Sequence, residues 1–384
     1  MIAAELNEIT EEHLKALIQN RQRESQTLDY KRQLPNADSD GHREFQSDIC
    51  AFANASGGDL ILGLTEDTEG AAQSITPLSV NPDSEQLRLQ DLVLNGIEPR
   101  VTGFQVRAVP VSGGHIFVAR VPRSWNGPHR VISSRHFYLR EGARKRQLDM
   151  PEIKGAFERS SSFIDRIRQF RIDRISKALT NNGPMPLING PISMIHILPV
   201  LALDGSVQID PRIYSIQRSL PVMGSGVRSK MNFDGALQYS VAEKMCDAYT
   251  QLFRDGRVEA LCVIGRFDSE NGFYRIPSRT FEDSLINFYD RMIAELGTQG
   301  VSAPFIVFCS ILRLEMARFG YSREDHFGTD GKFDRDAILL PEITIEESTA
   351  GAKALRPLFD LFWQSVDVGQ SPYYDENGNR TNRR

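Results

Sequence analysis

Among the acids of the first seventy residues, Glu24, Asp29, Glu66 and Asp67 are accompanied by Lys31, two positions after Asp29. Carboxylates are hard oxygen ligands. Two or three of them around Mg2+ or Mn2+, with positions open for water and phosphate, are what metal-assisted phosphodiester cleavage needs. In a strand Lys31 points to the same face as Asp29, where its ammonium could meet a phosphate or the leaving oxygen. Acids near strand ends are also ordinary surface charges, and Asp67, within Thr65-Glu-Asp-Thr-Glu-Gly70, carries turn chemistry. Spacing alone leaves both readings open.

The elements that must position these residues are legible in outline. Thr10 is a good N-cap for a helix whose Leu14, Leu17 and Ile18 recur at helical spacing. Leu28-Asp29-Tyr30-Lys31 alternates as a strand, which places Asp29 on the polar face. After a polar loop from Pro35 to Gly41, the pattern predicts a helix from about His42 to Asn54, with Phe45, Ile49 and Phe52 on one face. Gly57-Gly58 stops that helix and turns the chain into a strand over Asp59 to Leu64. Further strands are expected over Val101 to Pro110, His115 to Pro122 and His136 to Arg140. A long helix starts at Pro151 and runs to Thr180.

In the second half, apolar runs from Met194 to Leu203, Ala260 to Arg266 and Phe305 to Ser310 read as strands. Helical patterns are expected at Ser240 to Asp255, Thr280 to Leu296 and Ala352 to Ser365. The resulting organisation is an α+β chain: an N-terminal domain over 1–158, a connecting helix over 159–183, a C-terminal α/β domain of unknown role over 184–366, and a flexible tail over 367–384.

The segments Glu24-Ser-Gln-Thr-Leu-Asp29-Tyr30-Lys31, Ala51-Phe-Ala-Asn-Ala-Ser-Gly-Gly58 and Gly63-Leu-Thr-Glu66 together resemble the Schlafen-type AlbA-like (AlbA_2) domain. The likeness extends over roughly residues 15 to 158 and includes Phe137-Tyr-Leu-Arg-Glu-Gly142. It implies nucleic-acid binding, with RNA favoured and DNA possible. In some members it implies a metal-dependent endoribonuclease acting on structured RNA such as tRNA. On that pattern the carboxylates map to Glu24, Asp29 and Glu66, with Asp67 one residue away, and Mg2+ or Mn2+ would be the cofactor. Two positions depart from it: Asp29 stands where Glu is usual, and Glu66 where Asp is usual. Each shifts an oxygen by about one methylene, which a catalytic metal geometry tolerates poorly. The family equally contains proteins described only as DNA-binding or regulatory. A role in antiviral defence or stress is implied only by analogy. Related cores pair two lobes into a clamp, so a single lobe implies a dimer.

A formal net charge of −5 gives no global attraction to nucleic acid, so binding would need a local basic strip. From Arg123 to Lys177 fourteen Lys/Arg face six Asp/Glu. The candidates for phosphate contact are Arg130, Arg135, Arg140, Arg144, Lys145 and Arg146. Trp125, His129, Arg130 and His136 interleave aromatics with bases, which suits stacking on unpaired bases as well as it suits a loop tip. Four dispersed cysteines argue against a disulfide framework or structural zinc. The acidic opening MIAAELNEITEEHLKAL does not read as a secretory leader, and no run is long and apolar enough for a membrane span, so a cytoplasmic setting without membrane contact is expected. No GxxxxGK[ST] occurs, so ATP is not expected, and no G-x-S-x-G suggests serine hydrolysis. His196, in an apolar run, reads as a core histidine. A C-terminal domain that senses a ligand or joins an assembly is a further possibility.

Overall fold

A computed structural model describes the chain except residues 5, 201, 203–206, 217, 225–226, 243–244, 321–329, 347–348 and 382–384, with the side chains of 215–216 and 241–242 also left aside. The last residues of the tail, and positions 201 and 203 of the expected strand from Met194 to Leu203, therefore lie outside the described residues. The chain divides into two units, 1–166 and 167–384. No helix among the described residues is long and apolar enough to cross a membrane.

The first unit is built on a four-stranded sheet in the order β1-β2-β7-β6. Its elements are α1 (Glu11–Gln19), β1 (Leu28–Lys31), α2 (Ser39–Asn54), β2 (Gly58–Leu62), β3 (Leu64–Glu66), β4 (Ala72–Ile75), α3 (Pro82–Gly96), β5 (Ile97–Glu98), β6 (Gln105–Val111), β7 (Gly114–Val121), β8 (Arg130–Val131), β9 (Tyr138–Glu141) and β10 (Arg144–Gln147). The helix α4 (Met150–Leu179) contains the division between the units. Strands β1 and β2 are parallel, with Asp29 opposite Leu60, while β2, β7 and β6 are antiparallel.

The period-2 alternation of the strands feeds two cores. Leu28, Tyr30 and Ile61 join Leu14, Ile116 and Val118 on the α1 side. Leu60 and Leu62 pack with Phe45, Ile49, Phe52, Phe117 and Ala119 on the α2 side. Asp29 and Lys31 therefore face the α2 side.

Two caps explain why the helices begin where they do. Asp38 accepts from the amide of Gly41 at the start of α2, and Asn81 accepts from the amides of Asp83 and Ser84 at the start of α3, with Pro82 in the first turn. The helix α3 was not among the expected elements, although Asn81-Pro82-Asp83 is a start signal. At the other end of α2, Gly57 has φ of 72°, and a Cβ there would meet the backbone of Val121 and Arg123 at 2.6 Å, so only glycine makes the turn.

The second unit carries a large antiparallel sheet in the order β12-β13-β14-β15-β11-β18-β20, with β21 also pairing β18. The strands are β11 (Ile192–Pro199), β12 (Val227–Met231), β13 (Gly235–Ala242), β14 (Met245–Phe253), β15 (Val258–Val263), β18 (Phe305–Leu312), β20 (Ile338–Leu339) and β21 (Ile343–Ile345). A small second sheet holds β16 (Arg266–Asp268), β17 (Phe273–Ile276) and β19 (Ala317–Phe319). The helices are α5 (Ile213–Ile216), α6 (Ser278–Thr298), α7 (Gly351–Ala354) and α8 (Arg356–Gln364). One core includes Phe281, Tyr289, Met292, Phe362 and Trp363 against Ile195, Ile197 and Val307. The other includes Ile175 and Ala178 of α4 against Met194, Tyr249 and Leu261. Both units are α+β.

Two expectations are corrected. The segment from Ser240 to Asp255, expected as a helix, forms the end of β13 and all of β14. Residues 248–253 of β14 are almost all buried on both faces, so the period-2 signal that marks a half-exposed strand is lost. The segment from Asp367, expected as a loose tail, is packed over its described residues. Tyr373 and Tyr374 are buried, the Ser371 hydroxyl donates to Glu282 at 2.7 Å, and Arg380 pairs with Glu282 at 2.5 Å and Asp283 at 2.6 Å.

Candidate functional site

The acids separate into three environments. Glu24, which precedes β1, folds back so that its carboxylate accepts from the amide of Tyr30 at 2.9 Å. This brings it against Asp29. Burial, together with the hydrogen bond and repulsion from Asp29, pushes the Glu24 carboxyl up to about 8. Glu66 adds a smaller repulsion in the same direction. Of the two carboxyls, Glu24 is therefore the one whose environment favours the protonated form.

Asp29 itself is only 2% exposed. Its Oδ1 lies 3.3 Å from an Arg140 guanidinium nitrogen and its Oδ2 lies 3.2 Å from Lys31 Nζ. Burial alone would raise the Asp29 carboxyl, but the Glu24 hydrogen bond and the Lys31 and Arg140 charges hold it below the usual carboxylate range. The face predicted to be polar is therefore an internal ionic layer. The hairpin of β9 and β10 covers it, with Arg140 opposite Lys145 in the register.

A third acid was not anticipated. Asp48 of α2 is 4% exposed and pairs with Lys145 Nζ at 2.7 Å. Lys145 also reaches Glu44 at 2.8 Å and the Ser47 hydroxyl. Burial would lower the Lys31 ammonium, but Asp48 and Asp29 outweigh it and raise it. Asp48 stands one helical turn before Phe52 on the buried side of α2, a position in which an acid needs a buried cation. That placement was a usable sequence signal.

Glu66 ends β3 and is exposed. Asp67 faces a different task. Its Oδ1 accepts from the amides of Glu69 and Ala71 at 2.8 and 3.0 Å, and its Oδ2 accepts from Arg21 at 2.6 Å. These backbone bonds hold its carboxyl below the ordinary range. Asp67 organises the turn between β3 and β4, and its oxygens are spent there.

The sequence places Glu24, Asp29, Glu66 and Asp67 as ligands for Mg2+ or Mn2+. Glu24 and Asp29 are adjacent, but among the described residues no group of three or more His, Cys, Asp or Glu is placed to hold a metal ion. Asp29 faces two cations and the oxygens of Asp67 are engaged in a turn, so the four acids are not gathered around one point among the described residues.

The basic strip is likewise resolved residue by residue. Arg140 is 3% exposed, donates to the carbonyls of Ser25 and Leu28 at 2.8 and 3.1 Å, and lies over the Phe52 ring at 4.7 Å. It is a structural arginine, which corrects its expected phosphate role. Arg146 is held by Glu152 and Glu141, each at 2.6 Å. Arg130 pairs with Glu98 at 2.5 Å. Arg135 and Arg144 are exposed and have no ion-pair partner among the described residues.

Of the expected stacking residues, His129 is buried, with Nδ1 2.6 Å from the carbonyl of Pro99, and Trp125 stacks on Phe163 with centroids 6.0 Å apart. Arg130 and the exposed His136 keep access to solvent.

The segment from Ala51 to Gly58 serves assembly. Asn54 Nδ2 donates to the carbonyls of His129 and Tyr138, both at 2.8 Å, and its Oδ1 accepts from the amide of His129 at 2.7 Å. One amide side chain thus fastens the 129 loop and β9 to the end of α2.

Residues 24–149 match the family model described as Schlafen, AlbA_2, and this part of the chain is a domain of that type. Such a domain ties the chain to a nucleic-acid-related function. Among solved structures, the chain is similar to the DIP2311 protein from Corynebacterium diphtheriae, at 17% identity, covering 35% of this chain and 29% of that one, with a TM-score of 0.26. It is also similar to the N-terminal domain of a RecG-related protein from Nitrosomonas europaea, at 22% identity, covering 29% of this chain and 71% of that one, with a TM-score of 0.24. The chain thus spans under a third of the first of these. No curated protein matches it.

Proposed function

We propose that the protein binds nucleic acid through its AlbA_2 unit as a regulator, without cutting it. The observation that supports this reading is the internal neutralisation of the acids. Asp29 is held between Arg140 and Lys31, Asp48 is paired with Lys145, and Asp67 is committed to a turn. Of the six cations singled out in the basic strip, Arg135 and Arg144 remain outside such pairs, and contact with phosphates falls to them. Dimerisation belongs to the same proposal, since two copies would enclose a strand that one lobe leaves open. A stable monomer on size exclusion would count against that part.

A second reading, endoribonuclease action on structured RNA such as tRNA, draws on the adjacency of Glu24, Asp29 and Lys31. One experiment separates the two. Full-length protein is incubated with tRNA, rRNA and DNA, with and without Mn2+, beside Glu24→Ala and Asp29→Ala. The regulator reading expects salt-sensitive binding and intact nucleic acid throughout. Cleavage by the wild type that both substitutions abolish would establish the nuclease instead.

A further inference from the structure

The small strands of the first unit bring together residues that are distant in sequence. In β5 and β8, Glu98 stands opposite Arg130, and Arg130 is bridged on its other side to Phe137. Residues directly opposite in neighbouring strands share a face, so an acid, a guanidinium and an aromatic ring form a row. Phe157 of α4 completes it, its ring 6.1 Å from that of Phe137 and at 78° to it. These residues, with Pro99 and Pro128, line an open groove of about 410 Å3.

Two features mark the groove as more than a surface crease. Phe157 is 53% exposed although it is a large apolar side chain, and it sits beside a second ring. The ion pair is also only partly used. Arg130 directs both Nε and an Nη2 nitrogen, at 2.6 and 2.5 Å, to the same oxygen, Glu98 Oε1. Glu98 Oε2 and Arg130 Nη1 make no hydrogen bond among the described residues. An acceptor and a donor are therefore left without a protein partner at the edge of an aromatic platform. Arg100 and Arg135, near the groove in sequence, are exposed and have no ion-pair partner among the described residues.

We infer that this groove holds one unpaired base of a single-stranded nucleic acid. The base stacks on Phe157, its edge meets the partly used Glu98–Arg130 pair, and the exposed Arg100 and Arg135 are available to the flanking phosphates. Every unpaired base offers a π-face and an edge with both a donor and an acceptor, whereas in a duplex those edges are already paired. An apolar occupant would leave the Glu98 and Arg130 groups unanswered. The inference rests on the nucleic-acid reading and narrows it to unpaired strands.

The test is fluorescence anisotropy of full-length protein with labelled single-stranded RNA and DNA of mixed sequence, and with blunt duplexes of the same strands. Phe157→Ala and Phe157→Trp are measured alongside. Single strands are expected to bind more tightly than duplexes. Phe157→Ala should weaken single-strand binding roughly fivefold to a hundredfold, the range for losing one base stack, and leave duplex binding unchanged. Phe157→Trp should retain affinity, with its added indole emission quenched on binding. The RNA and DNA arms identify which polymer supplies the base. Unchanged single-strand affinity in Phe157→Ala, together with an unquenched indole at 157, overturns the groove and leaves the nucleic-acid reading standing. Failure of the wild type to bind any of these oligonucleotides overturns both. Because Phe157 is half exposed, thermal melts of both variants should match the wild type.

Discussion

Arg140 and Asp29 meet beneath the surface, 3.3 Å apart and each almost wholly buried, at the point where the β9–β10 hairpin crosses the edge strand β1. The arginine also closes two backbone carbonyls of the Ser25 to Leu28 turn. Removing it takes one of two cations from a buried carboxylate, leaving only Lys31, and takes a donor from each of two carbonyls. Arg140→Ala should therefore lower the stability of the first unit by about 3–5 kcal/mol, the cost of breaking a buried ion pair from one side, measured by urea denaturation. Arg144→Ala, on the exposed side of the same hairpin, should leave stability within about 0.5 kcal/mol. It should instead reduce the salt dependence of nucleic-acid binding by about one phosphate contact. Swapped outcomes for the two arginines would overturn this assignment.

Glu24 gives the first unit a pH dependence of defined sign. Its carboxyl is raised from the ordinary carboxylate range to about 8 in the folded state by burial and by Asp29. Between those values the folded form keeps a proton that the unfolded chain releases. The stabilisation linked to that proton is complete below the unfolded value and is lost as pH rises through about 8. Glu24→Gln, which keeps the shape of the protonated acid, should flatten this slope and make the variant more stable than the wild type above pH 8. Urea midpoints measured from pH 5 to 9 would show it, and parallel curves for the two proteins would refute it.

Much of this site could be read from residue order, and what could not has a physical reason. The strand from Leu28, the helix through Phe45, Ile49 and Phe52, and the glycine turn at Gly57 were legible because each follows from local periodicity or backbone freedom. Asp29 was placed on the correct face of β1, but a strand pattern does not say what covers that face. The cover is a hairpin more than a hundred residues away, which turns a solvent-facing acid into a buried one. For the same reason Arg140 and Lys145 looked like surface cations. Charge spacing along a chain carries no information about burial until the partner acids, Asp29 and Asp48, are seen in space. In the second unit β14 was misread because burial on both faces erases the alternation that identifies a strand.

Asn54 is a polar residue whose work is entirely internal to the fold. Its single side chain answers one amide and two carbonyls from the 129 loop and β9. Asn54→Ala would remove the bonds to the His129 amide and the Tyr138 carbonyl, while the His129 carbonyl keeps the Cys50 thiol, at a cost on the order of 2 kcal/mol. Asn54→Asp keeps the acceptor but replaces the donor with a charge that faces two carbonyls, so it should be no better tolerated. Hydrogen exchange should show the amide of His129, which donates to Asn54 Oδ1, losing protection first. Local protection that persists in Asn54→Ala would show that the loop is held by other contacts.

In the second unit the corresponding buried charge is Glu259, which is fully enclosed and accepts from Arg174 through both oxygens at 2.6 Å. Tyr249 donates to it at 2.8 Å, and His196 Nε2 lies 3.2 Å away. Burial alone would raise this carboxyl, but Arg174 and His196 outweigh it and hold it at about 2. Its contribution to stability is therefore present above the ordinary carboxylate range and is lost as pH falls toward 2. Glu259→Gln removes the charge and leaves the Arg174 guanidinium buried without a counter-ion, so the second unit should lose about 3–5 kcal/mol at neutral pH. The loss should shrink steadily as the wild type is acidified. Near-UV circular dichroism of Tyr249 and its neighbours, followed from pH 7 to 2 in both proteins, measures this, and a gap that stays constant across the range would mean that Glu259 is not the group titrating.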